Sequence, residues 1–166
     1  MLTQTVEREW VTRVGYKAVC IWQSMGFRCG YVAVPPDHVL YGVGYHGCHK
    51  VVYAFANPDE PIPDEFDQSW AKYRYTSQPA YVINVHGGLT FSTERDEIGN
   101  DGTITYPVPS RECWWFGFDC GHVGDGQFGF GGEIRSLAYV VNECESLANQ
   151  LYAIQVFALD RGFVGS

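Results

Sequence analysis

Charge is scarce in this chain, and positive charge is scarcer. Charged residues make up 18% of 166 residues, and eleven Lys and Arg face nineteen Asp and Glu, for a net charge of −8. No cluster of Lys and Arg occurs, so the basic stripe of a duplex nucleic-acid binder is missing. Hydrophobic residues reach 46%, which excludes a disordered chain. No apolar run approaches the roughly 20 residues that cross a bilayer, so no membrane partner is expected. There is no C-x-x-C pair, no G-x-S-x-G elbow, no phosphate loop and no dinucleotide fingerprint. The opening Met1-Leu2-Thr3-Gln4-Thr5-Val6-Glu7-Arg8 has no apolar signal core. The six cysteines (Cys20, Cys29, Cys48, Cys113, Cys120, Cys144) are therefore expected as reduced thiols of a cytoplasmic protein, most of them buried as small hydrophobes.

Aromatic residues are plentiful. Eleven Tyr, ten Phe and five Trp are more than a core needs, which points to a lined groove or to an interface between copies in a homo-oligomer. The length suits one domain over residues 1–166.

Strand-like runs dominate. Residues 17–22 and 28–34 are β-rich and flank Ser24-Met25-Gly26, so they predict an antiparallel hairpin closed by Pro35-Pro36. Residues 35–50 read as an ordered Gly/Tyr/His loop and 51–56 as a short strand. Residues 57–69 carry three prolines and read as a solvated excursion. Residues 70–75 fit a strand or a short helix, and 81–90 read as a strand broken by Gly87-Gly88. Asn100-Asp101-Gly102 is a turn signal, 103–108 an edge strand and 113–119 a central strand; 124–132 hold five glycines. Leu137, Val140, Val141, Cys144, Leu147, Ala148 and Leu151 recur at helical steps after Ser136, a natural N-cap. Asn142, Glu143, Glu145 and Asn149 fall on the opposite, water-facing side. Residues 154–159 read as a last strand. The fold class predicted is α+β: a mostly antiparallel sheet with one long C-terminal amphipathic helix packed on it.

Two stretches carry the candidate chemistry. Trp114-Trp115-Phe116-Gly117-Phe118 is an apolar run that ends in Asp119, His122 and Asp125, spaced by glycines. Val85-His86-Gly87-Gly88 places an imidazole before two glycines, which admit close approach of a ligand to the backbone. The expectation is that the two stretches lie together, with His86, Asp119, His122 and Asp125 near one site. The two carboxylates and the imidazole of Asp119, His122 and Asp125 read as mixed N/O metal ligands, as an imidazole oriented by a carboxylate or in direct ligand contact, or as turn caps without further role. No catalytic residue is assigned firmly; His86, Asp119 and His122 would carry catalysis, and Asp119, His122 and Asp125 would hold a metal. No cofactor is required, and a divalent metal is compatible. As a ligand pocket, the candidate contacts are His86, Gly87, Gly88, Asp119, His122 and Asp125, Trp114, Trp115 and Tyr41 for stacking, and Arg111 and Arg135 for phosphate. Backbone N–H groups at Gly87-Gly88 would form an anion nest. His46 and His49 flank Cys48 in a loop, a weaker metal pattern. Cys120 has acidic neighbours, which disfavours a thiolate nucleophile.

The chain resembles a family of small uncharacterised bacteriophage and prophage proteins. The shared residues are Gly30-Tyr31-Val32-Ala33-Val34-Pro35 with His38 and Leu40-Tyr41-Gly42, then Val85-His86-Gly87-Gly88-Leu89-Thr90-Phe91. They continue in residues 114–125 and in Tyr139-Val140-Val141, Glu143-Cys144 and Leu147-Ala148. Val39 and Gly121 stand where the family form has Pro and Ala. The resemblance implies a phage origin and action in the cytoplasm of an infected bacterium. It brings no activity.

The leading functional expectation is a phage protein that binds and sequesters a nucleotide-derived host immune signal, such as a cyclic nucleotide or an ADP-ribose derivative. The alternatives are a metal-dependent hydrolase or phosphodiesterase built on Asp119, His122, Asp125 and His86, and a protein–protein inhibitor of a host enzyme.

Overall fold

The computed structural model describes residues 4–68, 70–94, 113–122, 125 and 132–163. The turn at 100–102, the edge strand at 103–108, Arg111 and most of the Gly-rich loop at 124–132 lie outside them.

The sheet is antiparallel throughout. β1 (Gln4–Val11), β2 (Lys17–Gln23), β3 (Phe27–Val34), β4 (Phe91–Glu94) and β5 (Trp114–Asp119) lie in the order β1-β2-β3-β5-β4. The predicted hairpin is present, with Lys17 opposite Ala33 and Gln23 opposite Phe27. β5 inserts beside β3, from Val34 opposite Trp114 to Cys29 opposite Asp119. Alternation along the strands separates two faces. Ala18, Cys20, Val32, Phe116 and Phe118 face one core; Val19, Ile21, Tyr31, Ala33 and Trp115 face another. Gly117 sits opposite Tyr31, whose ring occupies the space a side chain there would need: a Cβ would lie 2.3 Å from its Cδ1.

α4 (Leu137–Asp160) covers the first face. Ser136 caps it, its Oγ accepting from the Tyr139 N–H at 3.1 Å. Val140, Cys144, Leu147, Ala148, Leu151, Ile154 and Ala158 are buried along one stripe. Each fully buried Leu or Ile contributes about 1.5–3 kcal/mol. The strand predicted at 154–159 is instead the end of this helix. Ile154 and Ala158 continue the three- and four-residue steps from Leu147 and Leu151, and burial on the sheet outweighs the β-rich composition. The helix ends where Phe163 N–H reaches the Ala158 carbonyl at 2.8 Å and Gly162 N–H the Leu159 carbonyl at 3.2 Å.

Two further strand readings are corrected. Residues 51–56 belong to α1 (Lys50–Ala56), because the His49 imidazole caps it through Nδ1, accepting from Val51 N–H at 3.2 Å. Its apolar run fills a helix buried at Val51, Val52, Tyr53 and Ala54. Residues 70–75 resolve to α2 (Trp70–Ser77), followed by α3 (Pro79–Val82) with proline in its first turn. Beyond Val82 the chain runs to β4 outside the named strands, with Thr90 N–H bonding the Gly117 carbonyl of β5 at 3.0 Å. Ile83, Val85 and Leu89 are buried, which accounts for the alternating pattern, but the backbone is held by a helix. Gln150 of α4 accepts from Asn84 N–H and donates to Asn84 C=O, both at 2.8 Å. No helix among the described residues is long and apolar enough to cross a membrane.

Candidate functional site

β5 delivers Asp119 at its end, and the turn that follows delivers His122 and Asp125. Asp125 N–H bonds the His122 carbonyl at 3.0 Å, while Asp125 Oδ2 accepts from His122 N–H at 3.1 Å. The Asp125 carboxylate, 3% exposed, has Oδ2 3.5 Å from His122 Nδ1.

The segment 83–90 delivers His86 from the other side. Glu143 Oε1 accepts from His86 N–H at 2.8 Å. The His86 ring spans two partners: Nε2 lies 2.9 Å from Asp125 Oδ2, and Nδ1 lies 2.8 Å from the Tyr139 hydroxyl. Asp125 Oδ1 accepts from Arg135 Nε at 3.1 Å. Burial alone would raise the Asp125 carboxyl, but hydrogen bonds from His86, Arg135 and the His122 backbone outweigh it and hold the group below the usual aspartate range.

His122 completes the cluster. Its ring lies flush on Gly87, so that a Cβ there would approach Cε1 to 2.3 Å. With φ at +68°, Gly87 also occupies backbone space that other residues rarely adopt. His122 Nδ1 is buried, has no hydrogen-bond partner among the described residues, and faces Asp125 Oδ2 at 3.5 Å and Asp119 Oδ1 at 3.7 Å. Asp119 is itself anchored, accepting from Gly121 N–H and the Thr90 hydroxyl, each at 3.0 Å.

One donor atom from each of His86, His122 and Asp125 lies within 4.8 Å of the others. With metal–ligand bonds of about 2.0–2.1 Å, neighbouring ligands of a tetrahedral ion stand about 3.4 Å apart. The pairs at 2.9 and 3.5 Å bracket that spacing. Two imidazoles and a carboxylate suit zinc, manganese or ferrous iron, and Tyr139 already holds the far nitrogen of His86 as an outer-shell partner does. The geometric set thus contains His86, with Asp119 beside it.

Other candidates are elsewhere. Trp114 and Asp119 close opposite ends of β5, about 16 Å apart at strand rise. Trp114 donates from Nε1 to the Val43 carbonyl at 2.9 Å and has the Tyr41 ring 6.3 Å away, so both belong to an aromatic group at the far end. Trp115 is fully buried in the second core, packed with Val19, Ile21, Tyr31 and Ala33. Two of the three N–H groups expected to form an anion nest are engaged: Glu143 takes the His86 N–H, and the Val85 carbonyl takes the Gly88 N–H at 2.9 Å. His49 caps α1, His46 is exposed against Tyr45, and His38 is buried, bonded to Leu151 C=O and Leu40 N–H. Burial, then Asp125, pushes the Cys120 thiol up to about 12, which removes it as a nucleophile.

Sequence reasoning passed over Tyr139, Thr90, Arg28 and Glu143. Tyr139 and Glu143 are one helical turn apart, a spacing that sets both on one side of α4. Arg28 Nη1 donates to the Arg135 carbonyl at 2.9 Å and so ties the segment before α4 to the sheet. Set against protein-family models, curated proteins and solved structures, the chain matches none.

Proposed function

We propose that the protein is a metal-dependent hydrolase whose centre is His86, His122 and Asp125. The observation that carries this reading is the convergence of their three donor atoms within 4.8 Å. Three protein ligands leave coordination positions open for water, as hydrolytic centres require. A divalent ion held there would supply a water acidic enough to ionise near neutral pH. Asp119 stands 3.7 Å from His122 Nδ1, held by Thr90 and Gly121, and accepts that proton. With an ion held by His86, His122 and Asp125, the activated water would bond the electrophilic centre as the bond to the leaving group breaks, and the leaving group would depart with the proton that Asp119 accepts. One water is added across one bond, with no change of oxidation state.

Sequestration of a nucleotide-derived signal by a phage-type protein uses the same residues without turnover. Its stacking wall has weaker support, since Trp114 and Tyr41 stand at the far end of β5. The test is to strip the protein with chelator, titrate it with Zn2+ and Mn2+, and incubate the loaded form with nucleotides and simple esters. Stoichiometric binding and cleaved products support hydrolysis. Intact ligand recovered after tight binding supports sequestration. Failure to bind either ion overturns the metal centre.

A further inference from the structure

We infer that the substrate of this site carries a phosphate group and that Arg135 recognises it, an inference that rests on the hydrolase reading. Arg135 is fixed at three points. Arg28 holds its carbonyl at 2.9 Å, its Nε donates to Asp125 Oδ1 at 3.1 Å, and its guanidinium carbon lies 4.9 Å over the Tyr139 ring. The Asp125 contact uses one of the five guanidinium N–H donors. Among the described residues Nη1 and Nη2 have no hydrogen-bond partner, and the side chain is 33% exposed. A guanidinium serving only to neutralise a buried carboxylate would gain most by a two-pronged contact. This one makes a single prong, lies over the Tyr139 ring and leaves its fork for a further acceptor.

The neighbouring cation cannot serve instead. Arg28 donates to both Glu7 oxygens, at 2.7 and 3.1 Å, and packs over Trp22 at 4.8 Å. Arg135 is joined to the candidate metal position through one group. Asp125 Oδ1 faces the guanidinium and Oδ2 faces the two imidazoles. A phosphoryl group has enough oxygens in tetrahedral array to give one to an ion and another to the fork; a planar carboxylate spans the two less well. Hydrolysis then forms a bond from the water oxygen to phosphorus, breaks the ester P–O bond, and releases the alcohol with the proton.

Charge sets an order of binding. Asp119, Asp125 and Glu143 surround the site, so an anion is repelled until an ion is in place. Phosphate affinity must therefore depend on the metal.

Inorganic phosphate is the probe, with Mn2+ as the ion and 31P relaxation and calorimetry as readouts. The expected result is phosphate binding only with Mn2+ present, with acetate at least about tenfold weaker. Arg135→Lys should weaken phosphate about tenfold or more and change Mn2+ affinity less than about threefold. In the unaltered protein, phosphate with Mn2+ should protect Arg135 from phenylglyoxal, mapped by mass spectrometry, which keeps the test independent of the variant's folding. Mn2+ binding without phosphate binding, equal affinity for acetate, or an unprotected Arg135 overturns this inference and leaves the hydrolase reading standing. Absence of Mn2+ and Zn2+ binding removes both.

Discussion

His86 and Asp125 stand 39 positions apart and meet at 2.9 Å. An ionised carboxylate only accepts, so His86 Nε2 carries the proton of this contact, and in the neutral ring the Tyr139 hydroxyl donates to Nδ1. An ion bound at Nε2 requires the opposite tautomer, with Nδ1–H donating to the Tyr139 oxygen. Tyr139→Phe removes that acceptor and keeps the ring, so it should lower divalent-ion affinity about 10–100-fold while far-UV circular dichroism is unchanged. His86→Ala removes a ligand and should cost at least about 100-fold. Calorimetric titration with Zn2+ measures both, and unaltered affinity in His86→Ala would remove it from the centre.

Gly87→Ala tests the contact between the two lips of the site. The added methyl would meet the His122 ring at 2.3 Å, on backbone at φ +68°. The ring has to move, and the backbone is strained by about 1–3 kcal/mol. The expected outcome is a lower midpoint in urea and an ion affinity reduced at least about tenfold. Gly88→Ala has the same backbone strain at φ +81° but more room, its nearest contact being the Ala80 carbonyl at 3.7 Å. It should lose stability and keep ion affinity, which separates strain from displacement of His122.

Acid should weaken the cluster. The Asp125 carboxyl titrates lower in the folded chain than in the unfolded one. Its contribution is therefore complete above the ordinary aspartate value, about pH 4, and is lost as pH falls through the lower folded value. Asp125→Asn should narrow the stability difference from the parent chain as pH drops below about 4, followed by thermal melts in low salt. A constant difference from pH 7 to 3 would show that the carboxylate is not held in this way.

The thiols should divide into two classes. Cys20, Cys29, Cys120 and Cys144 are buried, and Cys48 and Cys113 are half-buried. Burial pushes Cys29 up to about 11 and Cys120 up to about 12. At pH 8 in native buffer a thiol reagent should modify Cys48 and Cys113 first, and the other four only after denaturant is added. Fast labelling of Cys120, read by peptide mapping, would contradict its burial.

The clearest signals in the chain were local ones. Ser136 with its three- and four-residue apolar steps marks α4, and Ser24-Met25-Gly26 between β-rich runs marks the hairpin, because each depends on neighbours in sequence. The end of α4 was obscured because β-branched and aromatic residues at 154–159 suit a strand equally well, and only packing on the sheet decides. The convergence of His86 with His122 and Asp125 follows the two polar, Gly-spaced tips. The misplaced aromatic wall shows what adjacency hides: five steps along β5 carry Trp114 away from Asp119. Arg28, Tyr139 and Glu143 reach the site only through tertiary contacts.

Residues 83–90 are likewise held by contacts distant in sequence. Their alternation places Ile83 and Val85 inward as in a strand, but pairing with β5 reaches only Thr90, whose N–H bonds the Gly117 carbonyl at 3.0 Å, and among the described residues no strand bonds Asn84. The Gln150 side chain does, bonding Asn84 N–H and C=O at 2.8 Å each, one helical turn beyond Ser146 and two beyond Asn142. Gln150→Ala removes both bonds without touching the cluster. It should destabilise the chain by about 1–2 kcal/mol and speed amide exchange at Asn84 well before the strands open. Because the same segment carries His86, ion affinity should fall modestly, less than in Tyr139→Phe. Unchanged exchange at Asn84 would show that the segment is held by packing of Ile83 and Val85 alone, and the helix would then position His86 through Glu143 and Tyr139 only.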